Sequence, residues 1–222
     1  MSERQQNILE QAKCAVVRVG DGRGFVTDLA DTYGHPMPCV VTAAHCVPIP
    51  DWSQPPWDNW ENTKFKFVGL LDGDTTIAVT VLFWDPITDL AVLGAPDDQE
   101  LFEEYAAYET FVEQVGRIPI APLRLPLQAR DAERTSSAWM LPLEGDWFAC
   151  ETGDNVLGLL VNNSEKPIVG GMFGSPIIDQ TGAALGVVSR SPEGGENAEG
   201  YSTRLAICLP PRLTSTRPLM KF

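Results

Sequence analysis

Three short stretches of the chain carry residue types that could do chemistry together. In VVTAAHCV, His45 follows an apolar strand and sits in a short turn of small residues. In WDPITDLAVL, Asp89 stands directly before an apolar run that must be buried. A carboxylate at the lip of a buried strand is costly unless it is paired, and an aspartate can orient an imidazole and stabilise its charged form. In PIVGGMFGSPIIDQTGAALGVVS, Gly170, Gly171 and Gly174 permit positive φ and close backbone approach. Successive N–H groups in such a turn can form an anion-binding nest. A nest beside a His–Asp pair is the layout for acyl transfer and lacks only a nucleophile. Taken singly, each piece has a plainer reading. An isolated histidine is more often packed or at the surface than catalytic. Asp89 could cap a turn or a strand end, and Asp85 competes with it as the paired carboxylate.

The elements that would position these residues have mostly period two. CAVVRV (Cys14–Val19), GFVTDL (Gly24–Leu29), CVVTAA (Cys39–Ala44), KFKFVGLL (Lys64–Leu71), TIAVTVLFW (Thr76–Trp84) and LAVLGA (Leu90–Ala95) are rich in β-branched and aromatic residues. Gly, Pro and Asp clusters separate them, as in a closed antiparallel barrel or sandwich. The pattern then changes. Asp97–Gly116 carries a 3.6-residue apolar stripe, with Asp97 or Asp98 as cap and Gly116 as stop, which predicts a helix. A Pro-rich connector, Arg117–Leu127, leads to a second strand group: SSAWMLPL, GDWFACETG, NVLGLLVN, SPIID, AALGVVS and STRLAICL. Two strand groups joined by a crossover predict two β-barrels in one chain. The Trp- and Pro-rich insert Pro48–Asn62 is too rich in proline for a central strand and reads as a surface loop or an aromatic rim beside a cleft.

Composition narrows the function classes. The net charge of −14, from 16 basic and 30 acidic residues, argues against a nucleic-acid partner. There is no apolar run of about 18 residues to span a membrane and no signal-peptide pattern at the N-terminus, so the expected location is cytoplasmic. Five cysteines at irregular spacings then read as reduced thiols, with a Cys39–Cys46 disulfide conceivable. A zinc site from Cys39, His45 and Cys46 is disfavoured, because there is no CxxC pair and adjacent His-Cys suits tetrahedral ligation poorly. Neither a metal nor a cofactor is expected.

The ordered set GFV…VVTAAHC…DLAVL…GGMFGSPIID…GVVS resembles the trypsin-like serine peptidases of the chymotrypsin fold. It is most similar to the bacterial branch, where GMSGSP and GNSGSP are common nucleophile motifs. The resemblance runs from about Cys14 to about Leu209 and includes the order His, Asp, Ser. The Pro48–Asn62 loop and the Asp97–Gly116 helix are less typical of the family. The resemblance implies an all-β fold of two antiparallel six-stranded barrels with one inserted helix. Residues 1–96 would form the first barrel, 97–127 the connector and 128–222 the second barrel.

Carried over by position, His45 takes the place of the general base and Asp89 that of its orienting carboxylate. The nucleophile position falls on Phe173, and Ser175 matches the second, non-catalytic serine of the motif. The N–H groups of Gly171 and Phe173 match the oxyanion hole. Ser189, Arg190 and Ser191 match the strand that pairs with bound peptide. The floor of the specificity pocket falls near Pro167 with no acidic residue, so a preference for Lys or Arg is not implied.

Phenylalanine has no proton to give and no lone pair to attack with. Three readings follow: a natural pseudoprotease, an endopeptidase whose nucleophile was replaced by Phe173, or a peptidase in which Ser175 took over. The expected function is a trypsin-like serine endopeptidase in a form without its nucleophile, acting on or binding a polypeptide in the cleft. The alternative is a non-catalytic peptide- or protein-binding module that reuses the cleft. His45 should bond Asp89 and titrate above a free histidine. The Phe173 ring should lie over the imidazole or in the mouth of the specificity pocket.

Overall fold

The computed structural model describes residues 2–31, 33–47, 65–122, 136–155, 158–190 and 200–210. The Pro48–Asn62 insert, most of the connector beyond Pro122 and Ser191 lie outside the described residues.

The first strand group forms β1 (Val16–Val19), β2 (Gly22–Ala30), β3 (Pro36–Thr42), β4 (Phe65–Leu70), β5 (Ile77–Asp85) and β6 (Leu90–Gly94). They close in the order β1-β2-β3-β6-β5-β4, all pairs antiparallel. The second group forms β7 (Ser136–Met140), β8 (Phe148–Asn155), β9 (Gly158–Asn162), β10 (Pro176–Ile178), β11 (Ala184–Arg190) and β12 (Gly200–Arg204). They close as β10-β11-β12-β9-β8-β7, again antiparallel. This is the double β-barrel expected from the sequence, consistent with the trypsin-like fold.

Strand β6 shows why an uninterrupted apolar run is needed. Leu90 and Val92 face a core shared with Leu141, Ile178 and Val187 of the second barrel. Ala91 and Leu93 face the other way, into a cluster closed by Tyr108, Phe111 and Val112 of helix α2 (Phe102–Gln114). Both faces are buried, so alternation disappears from the sequence. Fully burying a side chain of this size stabilises by roughly 1.5–3 kcal/mol, and the shared core ties the barrels together. The connector reinforces the tie. Ile118 N–H donates to Val26 O of the first barrel at 2.9 Å, while Ala121 N–H donates to Ala184 O of the second barrel at 2.9 Å and Ala184 N–H donates to Pro119 O at 2.8 Å.

Helix α2 is shorter than its sequence stripe. Asp97 closes a turn by accepting from Gln99 and Glu100 N–H groups, at 2.8 and 3.2 Å, before the helix begins. Arg117 stops it, donating to the carbonyls of Val112, Val115 and Gly116 at 2.7–3.1 Å.

Two elements differ from the sequence reading. Helix α1 (Glu3–Lys13) was not expected, because its apolar residues are few. Its signal is a capping pattern, Ser2 followed by Gln5, with Ser2 Oγ accepting from Gln5 N–H at 3.2 Å. Leu9 and Ala12 dock into the shared core. The last expected strand, Ser202–Leu209, is split: β12 ends at Arg204, and Leu205–Cys208 form a single helical turn, α3. A short apolar run does not distinguish strand from buried helix by periodicity. Among the described residues, no helix is long and apolar enough to cross a membrane.

Candidate active site

Strand β3 delivers His45. After Thr42 the chain stays extended through Ala43 and then tightens into a 3-10 turn, Ala44–Cys46. The indole of Trp84 donates to Ala44 O at 3.2 Å and braces that turn. Strands β5 and β6 deliver Asp89 from the turn between them. Asp85 builds this turn: it accepts from Ile87 N–H at 2.9 Å and from the Thr88 hydroxyl at 2.8 Å. The competition between the two carboxylates is thereby resolved: Asp85 shapes the turn and Asp89 meets the histidine.

Asp89 is almost fully engaged. Its Oδ1 accepts from His45 N–H at 3.0 Å, and both oxygens lie 2.8–3.0 Å from His45 Nδ1. Its Oδ2 also accepts from the Ser189 hydroxyl at 2.6 Å. Burial pushes the Asp89 carboxyl up, but the bonds from His45 and Ser189 outweigh it and hold the pKa below the ordinary value. His45 is pushed up to about 10, first by its bond to Asp89 and then by the neighbouring Cys46 thiol, with burial opposing. Near neutrality the pair is therefore an imidazolium bonded to a carboxylate. With Nδ1 committed to Asp89, Nε2 is the ring nitrogen left for proton transfer.

The second barrel delivers the Gly170–Ser175 loop between β9 and β10. Gly171 and Gly174 have φ of 85° and 81°, in the left-handed region. At Gly174 no side chain would fit, since a Cβ there would lie 1.9 Å from Arg23 O. The loop is bound to the first barrel at that crossing: Arg23 N–H donates to Phe173 O at 2.7 Å, and the Cys46 thiol approaches the same oxygen at 3.6 Å. Among the described residues, no acceptor meets the N–H groups of Gly171 or Phe173. Two free donors on a turn with positive φ can receive an anion. The Phe173 ring stands 5.0 Å from the His45 ring, centroid to centroid, at 74°. It also packs on the second-barrel cluster containing Met172 and Val188. The ring thus meets the imidazole, edge-on rather than lying over it, and rests against the second-barrel wall.

No protein-family model and no curated protein matches this chain. The site must be read from its own geometry.

That geometry brings His45, Asp89 and Phe173 together, with Gly171 two residues before Phe173 on the same loop. Ser175 is not among them. Its residue is fully buried, and its hydroxyl has no hydrogen-bond partner among the described residues. Ser189 is close by, but its side chain serves Asp89. Arg190 ends β11, paired with Tyr201. The Cys39–Cys46 disulfide is not formed: both are free thiols, and burial pushes that of Cys39 up to about 12. Among the described residues, no three His, Cys, Asp or Glu side chains are grouped to hold a metal ion.

Sequence reasoning missed Arg23. It is buried in β2, and its guanidinium donates to Leu141 O, Pro142 O and Leu143 O at 2.8–3.1 Å, across the barrel interface. The available signal was a lone arginine between glycines, GDGRGF, inside an otherwise apolar strand pattern. A charge there must find several acceptors.

Proposed function

We propose that this protein is a trypsin-like serine endopeptidase scaffold, of the bacterial type, that lacks its nucleophile and is inactive or nearly so as written. The observation that carries this reading is the bonded His45–Asp89–Ser189 network facing the Phe173 loop, whose Gly171 and Phe173 N–H groups meet no acceptor among the described residues. In acyl transfer these parts would hold a base, orient it and receive the oxyanion. Phe173 interrupts the sequence at attack, because its ring stands where a hydroxyl must approach the imidazole. The bound species would be a polypeptide lying in the inter-barrel cleft. Five free thiols fit a cytoplasmic setting.

The test is Phe173→Ser. Losing one member of a catalytic triad removes about four to six orders of magnitude in turnover, so restoration should be of comparable size. It is read by fluorophosphonate labelling and by cleavage of an unfolded protein. Activity should rise with pH through the alkaline range, because a base whose pKa is about 10 is largely protonated near neutrality. A well-folded but inert Phe173→Ser that binds unfolded peptide would favour the second reading, a binding module in which the ring packing of Phe173 closes the reactive corner.

A further inference from the structure

Asp89 holds an uncommon backbone conformation. Its φ is 53°, in the left-handed region, which few residues with a Cβ adopt, although aspartate tolerates it better than most. The flanking residues are held by their own barrel, through the Asp85 turn before it and the Asp85–Leu90 ladder pair after it. The peptide between Thr88 and Asp89 is different. Because a peptide unit is planar, the direction of the Thr88 carbonyl and the φ of Asp89 turn together. That carbonyl accepts a hydrogen bond from the Thr203 hydroxyl. Thr203 is buried on β12 of the second barrel.

Its strand neighbour β11 carries Ser189, the donor to the Asp89 carboxylate. Thr203 pairs with Val187, two residues before Ser189. One two-stranded unit of the second barrel therefore grips Asp89 twice, Ser189 at the carboxylate and Thr203 at the preceding peptide. We propose that Thr203 is a positioning residue: by holding the Thr88 carbonyl from the opposite barrel, it keeps Asp89 in its left-handed conformation and its carboxylate on the His45 ring. Ser202, the adjacent residue, provides the contrast. It too is buried, but its hydroxyl has no partner among the described residues. In calling this geometry catalytic the inference rests on the peptidase reading, whereas the grip itself does not.

The experiment is an NMR titration of His45 in the full chain with Phe173 in place. Thr203→Val and Thr203→Ala both remove the hydroxyl, one nearly isosteric and one smaller, so a folding failure of either leaves the other. Both should lower the His45 pKa by about one unit or more, since the carboxylate that favours the charged ring is displaced. Thr203→Ser should keep the parent value, and so should Ser202→Ala. A His45 pKa unmoved in Thr203→Val or Thr203→Ala overturns the proposal, whatever happens to stability. So does a Thr203→Ser shift as large as theirs, because the hydroxyl would then not be the operative group. A second arm places Thr203→Val in the Phe173→Ser background, where kcat should fall with KM unchanged. An inert Phe173→Ser would sink the peptidase reading and leave the titration to judge the grip.

Discussion

On the first-barrel side of the cleft, polar atoms meet partners: Asp89 takes hydrogen bonds from a backbone N–H, an imidazole and a hydroxyl. On the second-barrel side, the loop between β9 and β10 leaves two N–H groups without an acceptor among the described residues and presents a benzyl ring. The first arrangement is self-consistent, since a buried carboxylate would be expensive without those bonds. The second needs no partner within the chain, because water can meet half-exposed N–H groups, and it leaves those donors available to a ligand while the ring packs on the second barrel. The contrast teaches that the His–Asp side can persist for reasons of packing and charge alone. The loop is where a functional history would show.

The largest effect expected from this contrast lies in turnover. In a Phe173→Ser protein, adding Asp89→Asn should lower kcat by about 10⁴-fold, because the histidine loses its orientation and its charge partner. Single-turnover cleavage measures it. A loss of less than about tenfold would mean that His45 does not act as the base.

A smaller effect concerns two glycines of one loop. Gly174→Ala should destabilise by about 3 kcal/mol or more, because its Cβ meets Arg23 O at 1.9 Å and its φ is left-handed. Gly170→Ala meets nothing within 4 Å and should be close to neutral. Urea unfolding of both variants makes the comparison. Equal stabilities would show that the loop is not pinned to the first barrel as described.

The smallest effect is on stability against pH. The folded pKa of His45 is raised to about 10 from 6.5. The stability it contributes is full below the unfolded value and is lost as pH climbs through the folded one. For Asp89, whose folded pKa is depressed, the contribution is present above the ordinary 3.8 and is lost as pH falls through the lower folded value. Melting temperatures of the parent and Asp89→Asn, measured across pH, should therefore differ most between those limits and converge beyond them. A constant difference across pH would argue against the pairing.

Much of the architecture was legible in the chain because burial leaves a period in the sequence. Among the described residues, strands alternate or run apolar according to whether one face or both are covered, as in β6. Helix α2 was visible as a 3.6-residue stripe. Helix α1 was legible only through its cap, and α3 not at all, since four apolar residues fit either geometry. At the site, residue chemistry alone marked His45, Asp89 and the glycine loop, because a carboxylate before a buried strand and clustered glycines each need a physical reason. Tertiary structure decided which partners meet. It gave Asp85 to the turn and Asp89 to the histidine, gave Ser189 to the carboxylate, and sealed Ser175 inside. It also set Arg23 and Thr203 across the barrel interface. The reason is that local pattern fixes which face a side chain occupies. What waits on that face is set by closure of each barrel and by the docking of one on the other, which bring together residues a hundred or more positions apart.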